Sequence, residues 1–352
     1  MRAVVLKQRP APGTLPDVLR IESIAEPVPG PREAVVQVLA STINIDDIHV
    51  IEGTFYGGIP LGPRPRPDRP VTPGSDLAGI VIATGKDVRS VRVGDAVFGV
   101  QMPLRRQGAW AEQCAVDERW LTRKPDPVSF EMAAACGVSG LVALSALKAL
   151  RMRAGMRVVV VGATGGIGAI VVQLAARAGV EVIGVCGPAN VERARQLGCS
   201  LVLDYHRGPW DRALHQEGMS RVDRVFDAVG GEDTEQMGRR VLGRDGIFVT
   251  VVGPERFIGD RALGWRGILA ILARVSARML RSYVRGPRYV LTGPGPGGGN
   301  ALAEVAAAAS AGVLPPIDST VAFEQNAMRE ALERAAAHRN HGRIVIQVGA
   351  AG

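Results

Sequence analysis

The chain has 352 residues, 47% of them apolar and 4% aromatic, and carries a formal net charge of +8. That length exceeds a single small core and fits two domains. The basic balance attracts anions, but with so few aromatic residues and no accompanying nucleic-acid motif it points to an anionic cofactor and argues against a DNA or RNA partner.

Met1-Arg2-Ala3-Val4-Val5-Leu6 reads as a strand, so no leader is expected ahead of the fold. No uninterrupted apolar run approaches the roughly 20 residues of a membrane span, and the expected location is the cytoplasm. Up to residue 127, short strand-like runs alternate with turns, most clearly at 34–40, 78–83 and 95–100. Residues 60–73, dense in Pro, Arg and Gly, read as an irregular loop because proline supplies no ladder donor. Residues 128–150 read as an alanine-rich helix. Cys114, Cys136, Cys186 and Cys199 form no C-x-x-C pair and sit among small or apolar residues, as buried structural thiols do.

From residue 156 to 252 the pattern alternates strand and helix, which predicts a parallel α/β sheet with strands at 157–161, 180–185, 201–203, 222–227 and 246–251. After the first of these comes Gly162-Ala163-Thr164-Gly165-Gly166-Ile167-Gly168 and an apolar helical run. Strand, glycine turn and helix, in that order, bring backbone amides and a helix N-terminus against a pyrophosphate. An NAD enzyme usually carries an acid about 20 residues further on, for the ribose hydroxyl. Here the second strand ends in Cys186-Gly187-Pro188-Ala189-Asn190, with no acid. Arg193 on the next helix is placed to pair with a 2′-phosphate, so NADPH is expected over NADH; its alternative is a solvated surface charge.

Residues 263–285 read as an amphipathic helix, with Ile268, Leu272, Val275 and Met279 along one side. Arg274, Arg278, Arg281 and Arg285 follow the same spacing on the opposite side. Such a helix packs its apolar side on the protein or lies on an anionic membrane surface. Residues 292–299 read as a loop, and the tail as helix, strand-like turn, helix and a last strand at 343–348.

These residues, with Asn44-Ile45-Asp46-Asp47 leading to Gly53-Thr54, Pro73-Gly74-Ser75-Asp76, Val93-Gly94-Asp95, Gly108-Ala109-Trp110, Phe226-Asp227-Ala228-Val229-Gly230-Gly231 and Gly342-Arg343-Ile344-Val345, resemble the zinc-free quinone oxidoreductases of the medium-chain dehydrogenase/reductase superfamily. The longer stretch 260–288 looks most like the branch containing the reticulon-interacting mitochondrial enzyme of animals. The resemblance implies a GroES-like, β-rich catalytic domain (1–127 and 295–352) and an inserted Rossmann NADPH-binding domain (128–294), with common homodimers. It implies Asn44 and Asp47 beside the nicotinamide, and His49 where relatives often have a tyrosine. It implies cofactor contacts from the 162–168 turn, Gly187, Asn190 (where relatives commonly have lysine), Tyr205, Gly253 and Arg343.

Zinc-dependent relatives have a cysteine in the early loop and Gly-His-Glu where this chain has Gly74-Ser75-Asp76, so no metal is expected. Without a Lewis acid an already electrophilic acceptor such as a quinone is favoured, with His49 as a proton relay near neutrality. Asn44 and Asp47 also read as turn caps. The alternative chemistry is 2-enoyl thioester reduction, for which related reductases use a tyrosine at the position of Phe55; here the neighbouring Tyr56 is the candidate, one residue offset. A non-catalytic cofactor-binding scaffold is the third reading.

Overall fold

The computed structural model describes residues 1–11, 14–53, 63–102, 105–254, 265–295 and 299–349. The chain divides into two compact units, residues 1–138, 259–263 and 296–352 in one and residues 139–258 and 264–295 in the other. The division falls inside the helix Phe130–Leu150. That helix is long and apolar enough to cross a bilayer, contrary to the reading that no apolar run is; 67% of its most apolar window is buried in the protein. An interior helix is apolar all round for the same reason a spanning one is.

The first unit holds a seven-stranded sheet built on the long strand Glu33–Ile43. Asp76–Thr84 and Arg343–Gln347 pair with it antiparallel, one on each side. The end of the central strand therefore meets the starts of both neighbours, where Asp76 and Arg343 stand. Ile317–Ala322, the strand-like turn of the tail, is the edge strand, parallel to Arg343–Gln347. Val36, Val38, Leu77, Trp110, Leu332 and Ile344 belong to one buried core.

The second unit is a six-stranded sheet whose order is third, second, first, fourth, fifth and sixth in sequence: Leu201–Asp204, Glu181–Cys186, Arg157–Val161, Val222–Asp227, Leu242–Thr250 and Arg288–Leu291. All five pairings are parallel. This is the doubly wound dinucleotide-binding order, whose ligand crevice opens at the carboxyl ends of the strands where the order reverses. The runs Val158–Val161 and Val182–Cys186 are buried continuously, as strands covered on both faces must be. The edge strand Arg288–Leu291 carries no alternation strong enough to show in the sequence.

The helix Trp265–Arg285 forms, but its faces differ from the expected ones. Arg278 turns inward and pairs with Glu232 at 2.7 Å and Glu235 at 3.1 Å. Met279 packs against the core of the sheet and Ser282 is buried. Leu272, expected on the buried side, is more than half exposed. Two acids on the neighbouring helix Glu232–Val241 decide the rotation, a pull no periodicity within one helix records. The side chain of Ile268 lies outside the described residues.

Candidate functional site

In the second unit, Gly162 adopts φ +80° directly after the first strand, a conformation that favours glycine. Its amide and that of Ala163 donate to the Val185 carbonyl at 3.0 and 3.2 Å, which ties the turn to the neighbouring strand. A Cβ on Gly168 would stand 2.1 Å from the Gly162 carbonyl oxygen, so glycine there permits the helix to close against the turn. Gly165 caps the helix Gly166–Arg177, and no side chain caps its first turn. Gly165 is exposed and Gly166 and Ile167 are partly so, leaving the first-turn amides at the surface of the crevice. Orphan amides at a helix N-terminus suit a diphosphate.

The structure brings Gly187 and Tyr205 together: a Cβ on Gly187 would be 3.4 Å from the Tyr205 hydroxyl. Tyr205 is exposed. Asn190 closes a single 3-10 turn, Pro188–Asn190, and Arg193 lies one turn into the following helix, Val191–Leu197. The end of the second strand thus presents a tyrosine, an amide and a guanidinium, and no acid in 186–190. Gly253 (φ +89°) has a structural task, its amide donating to Thr250 Oγ1 at 3.1 Å while its carbonyl accepts from Gly231 at 3.0 Å. Thr250 in turn donates to Asp227 Oδ2 at 2.9 Å, so this turn locks the loop after the fourth strand.

The first unit carries a buried polar network. Asn44 begins the helix Ile45–Glu52, and the Asp47 carboxylate accepts from the Asn44 amide at 3.0 Å, one half of a capping box. Ser75 donates to Asp47 Oδ1 at 2.5 Å. Asp76 Oδ2 accepts from Thr42 Oγ1 at 2.6 Å, Asn44 Nδ2 at 3.0 Å and Arg343 Nη2 at 2.7 Å. Asp76 Oδ1 accepts from the Val138 amide at 2.6 Å. Arg343 also donates to Thr42 Oγ1 at 2.6 Å.

Arg343, expected at the cofactor, donates to Asp76 and Thr42 at the strand ends of the first unit's sheet. Sequence reasoning missed Thr42, and took Ser75 and Asp76 only as replacements for metal ligands. The signal was an acid and an arginine each opening a strand, but the two are 267 positions apart.

Burial pushes the Asp47 carboxyl up to about 7, against the Ser75 and Asn44 hydrogen bonds that favour its ionised form, with nearby Asp76 raising it further. His49 goes the other way: burial, then the proximity of His338, pushes its imidazole down to about 4. That shift favours the neutral imidazole near neutral pH, where an ordinary histidine would be partly charged. Tyr56 lies outside the described residues. Burial likewise pushes the Cys114, Cys136 and Cys199 thiols up to about 12, and Cys186 up to about 11, which fits inert structural cysteines.

A small pocket of about 30 Å³ lies against this network. Asp47 and Ser75 line it together with Leu6, Ile51, Pro73 and Met102, while His49 does not. Its wall is mostly apolar, with Asp47, Thr72, Ser75 and Arg105 as polar side chains on it. Among the described residues no three His, Cys, Asp or Glu side chains gather as a metal-ligand group. The Asp47 and Asp76 carboxylates accept from the amides, hydroxyls and guanidinium just named.

Residues 30–126 match the alcohol dehydrogenase GroES-like domain family and residues 197–346 the family described as zinc-binding dehydrogenase. A quinone oxidoreductase of Pseudomonas aeruginosa is 32% identical over 262 residues, 73% of this chain and 77% of that protein. The human mitochondrial NAD(P)H oxidoreductase RTN4IP1 is 28% identical over 339 residues, 90% of this chain and 82% of that one. The solved quinone oxidoreductase of Coxiella burnetii shares the fold, with a TM-score of 0.78 and 22% identity over 99% of each chain. With these relatives, the Rossmann strand order and the GroES-like unit, the chain belongs to the quinone oxidoreductases of the medium-chain dehydrogenase/reductase superfamily.

Proposed function

We propose that this oxidoreductase passes a hydride from NADPH to a quinone or a similar activated carbonyl, without a metal. The observation that carries the reading is the pairing of Asp47 with Ser75 on a pocket wall, Ser75 standing where zinc-dependent relatives carry the histidine of Gly-His-Glu.

A bound nicotinamide supplies the hydride; the chain's own residues bind, orient and protonate. The open amides of Gly166, Ile167 and Gly168 suit the diphosphate, and Arg193 with Tyr205 suits the adenosine end of a 2′-phosphorylated cofactor. Reduction of a carbonyl also needs a proton. Asp47, titrating near 7, is about half protonated at neutral pH. When Oδ1 carries the proton, the short bond reverses: Asp47 donates to Ser75 Oγ, and the Ser75 hydroxyl hydrogen turns to the pocket. Transfer from Ser75 to the reduced acceptor is then made good from Asp47, so one hydride and one proton enter the product. Asn44 and the Asp76–Arg343 pair hold the carboxylate in register.

NADPH and NADH oxidation measured in parallel with ortho-quinones, para-quinones and a short enoyl-CoA tests the reading. Quinone turnover that prefers NADPH is the expected result. Turnover with the thioester alone would replace the quinone reading by enoyl reduction. Tight NADPH binding with no turnover on any acceptor would leave a scaffold.

A further inference from the structure

The helix Trp265–Arg285 leaves an apolar face uncovered. Trp265, Leu269, Leu272, Leu280, Tyr283 and Val284 are each between 52% and 70% exposed. Five of the six recur at helical spacing, so they form one stripe along the helix, and Val284 widens its end. Monomeric soluble proteins rarely expose a contiguous apolar patch of this kind without a partner.

The residues around the stripe say what kind of partner. The helix contains Arg266, Arg274, Arg278, Arg281 and Arg285 and no acidic residue. Arg278 turns inward, to Glu232 and Glu235; Arg266 lies beside the stripe, and Arg274, Arg281 and Arg285 are exposed on the side of the helix away from it. Each end of the stripe carries an aromatic–arginine pair. The Arg266 guanidinium lies 5.3 Å from the Trp265 ring, and Arg288 lies 4.9 Å from the Tyr283 ring while donating to its hydroxyl at 3.0 Å. Aromatic rings with a polar tip, beside cations on apolar stems, suit the headgroup level of a bilayer. A second copy would bring five more arginines and no acid of this helix to the contact, which disfavours a symmetric self-contact. So many arginines also forbid crossing the hydrocarbon, and the helix must lie in the plane of the surface.

We infer that this helix docks reversibly on an anionic lipid surface, the leucines and aromatic rings entering the headgroup layer while the arginines of its polar face draw it to the anionic charge. The inference stands apart from the hydride chemistry and survives if another acceptor proves correct.

Flotation of the full chain with phosphatidylcholine vesicles, with and without phosphatidylserine, tests it. The chain should float with the anionic vesicles, weaken in high salt, and stay below with the neutral ones. Arg281→Glu with Arg285→Glu should lower the partition at least about twenty-fivefold, at about fivefold per arginine near a charged surface. Leu269→Ser with Leu280→Ser should abolish flotation too, with unchanged melting temperature and NADPH oxidation. Failure of the unaltered chain to float, or equal flotation on neutral vesicles, overturns the inference. So does full binding by the leucine variant, which would mean charge alone. A dimer that dissociates with the leucine variant and never floats would assign the face to a second copy.

Discussion

The glycine turn of the second unit and the polar network of the first are built by different means. The glycine turn is local: Gly162, Gly165 and Gly168 lie within seven residues, and its geometry follows from what those residues lack. The polar network is assembled from the ends of strands far apart in the chain, with Thr42 and Arg343 separated by 301 positions. The turn is held by backbone and by close approach; the network is held by charge out of water. A substitution in the turn fails by crowding, whereas one in the network fails by leaving a charge without its partner.

That contrast orders the expected effects. Arg343→Met should be the most damaging to stability, because it leaves Asp76, which is 0% exposed, without its cation. Breaking a buried pair from one side costs about 3–5 kcal/mol, readable in a denaturant melt. Loss well under 1 kcal/mol would mean that water reaches the Asp76 carboxylate. Gly168→Val should cost about 1–3 kcal/mol through the contact with the Gly162 carbonyl and remove NADPH binding, seen by fluorescence titration. A variant that still binds NADPH with native affinity would show that the turn does not hold the diphosphate.

Arg193→Ala should weaken NADPH about tenfold or more and leave NADH unchanged, since one charge-assisted contact is lost. Equal affinities before and after would make Arg193 a surface charge only. The smallest effect belongs to Arg195→Ala. Its partner Glu192 is 3.5 Å away and both side chains are more than 60% exposed. Such a pair should move stability by less than about 0.5 kcal/mol, in contrast to the buried Arg343–Asp76 pair.

What could be read from sequence divides along the same line. The valine run 158–161, the turn and the helix after it were legible because the relevant spacing fits within one window. Asn44 and Asp47 were legible as a pair three apart, and the capping bond between them shows why the same residues read equally as a helix start. The Asp76–Arg343 contact was not legible, because antiparallel pairing on two sides of Glu33–Ile43 creates it and neither strand announces its neighbour. Arg343 was therefore expected at the cofactor. His49 was read from its ordinary titration, which burial beside His338 displaces. Arg278 was read only as lying opposite the apolar side because the acids that turn it inward lie on another helix.

The central claim is that Asp47 supplies the proton through Ser75, and the pH dependence of kcat for NADPH-driven quinone reduction tests it most directly. Because burial raises the Asp47 carboxyl to about 7, its proton is present below that value and lost above it, so the rate should fall as pH rises through neutrality. Asp47→Asn and Ser75→Ala should each slow the reaction by about 10²–10⁴-fold and flatten that limb, while the NADPH dissociation constant stays as it was. An unchanged limb near pH 7 in Asp47→Asn would contradict the account, since the proton would then come from another group.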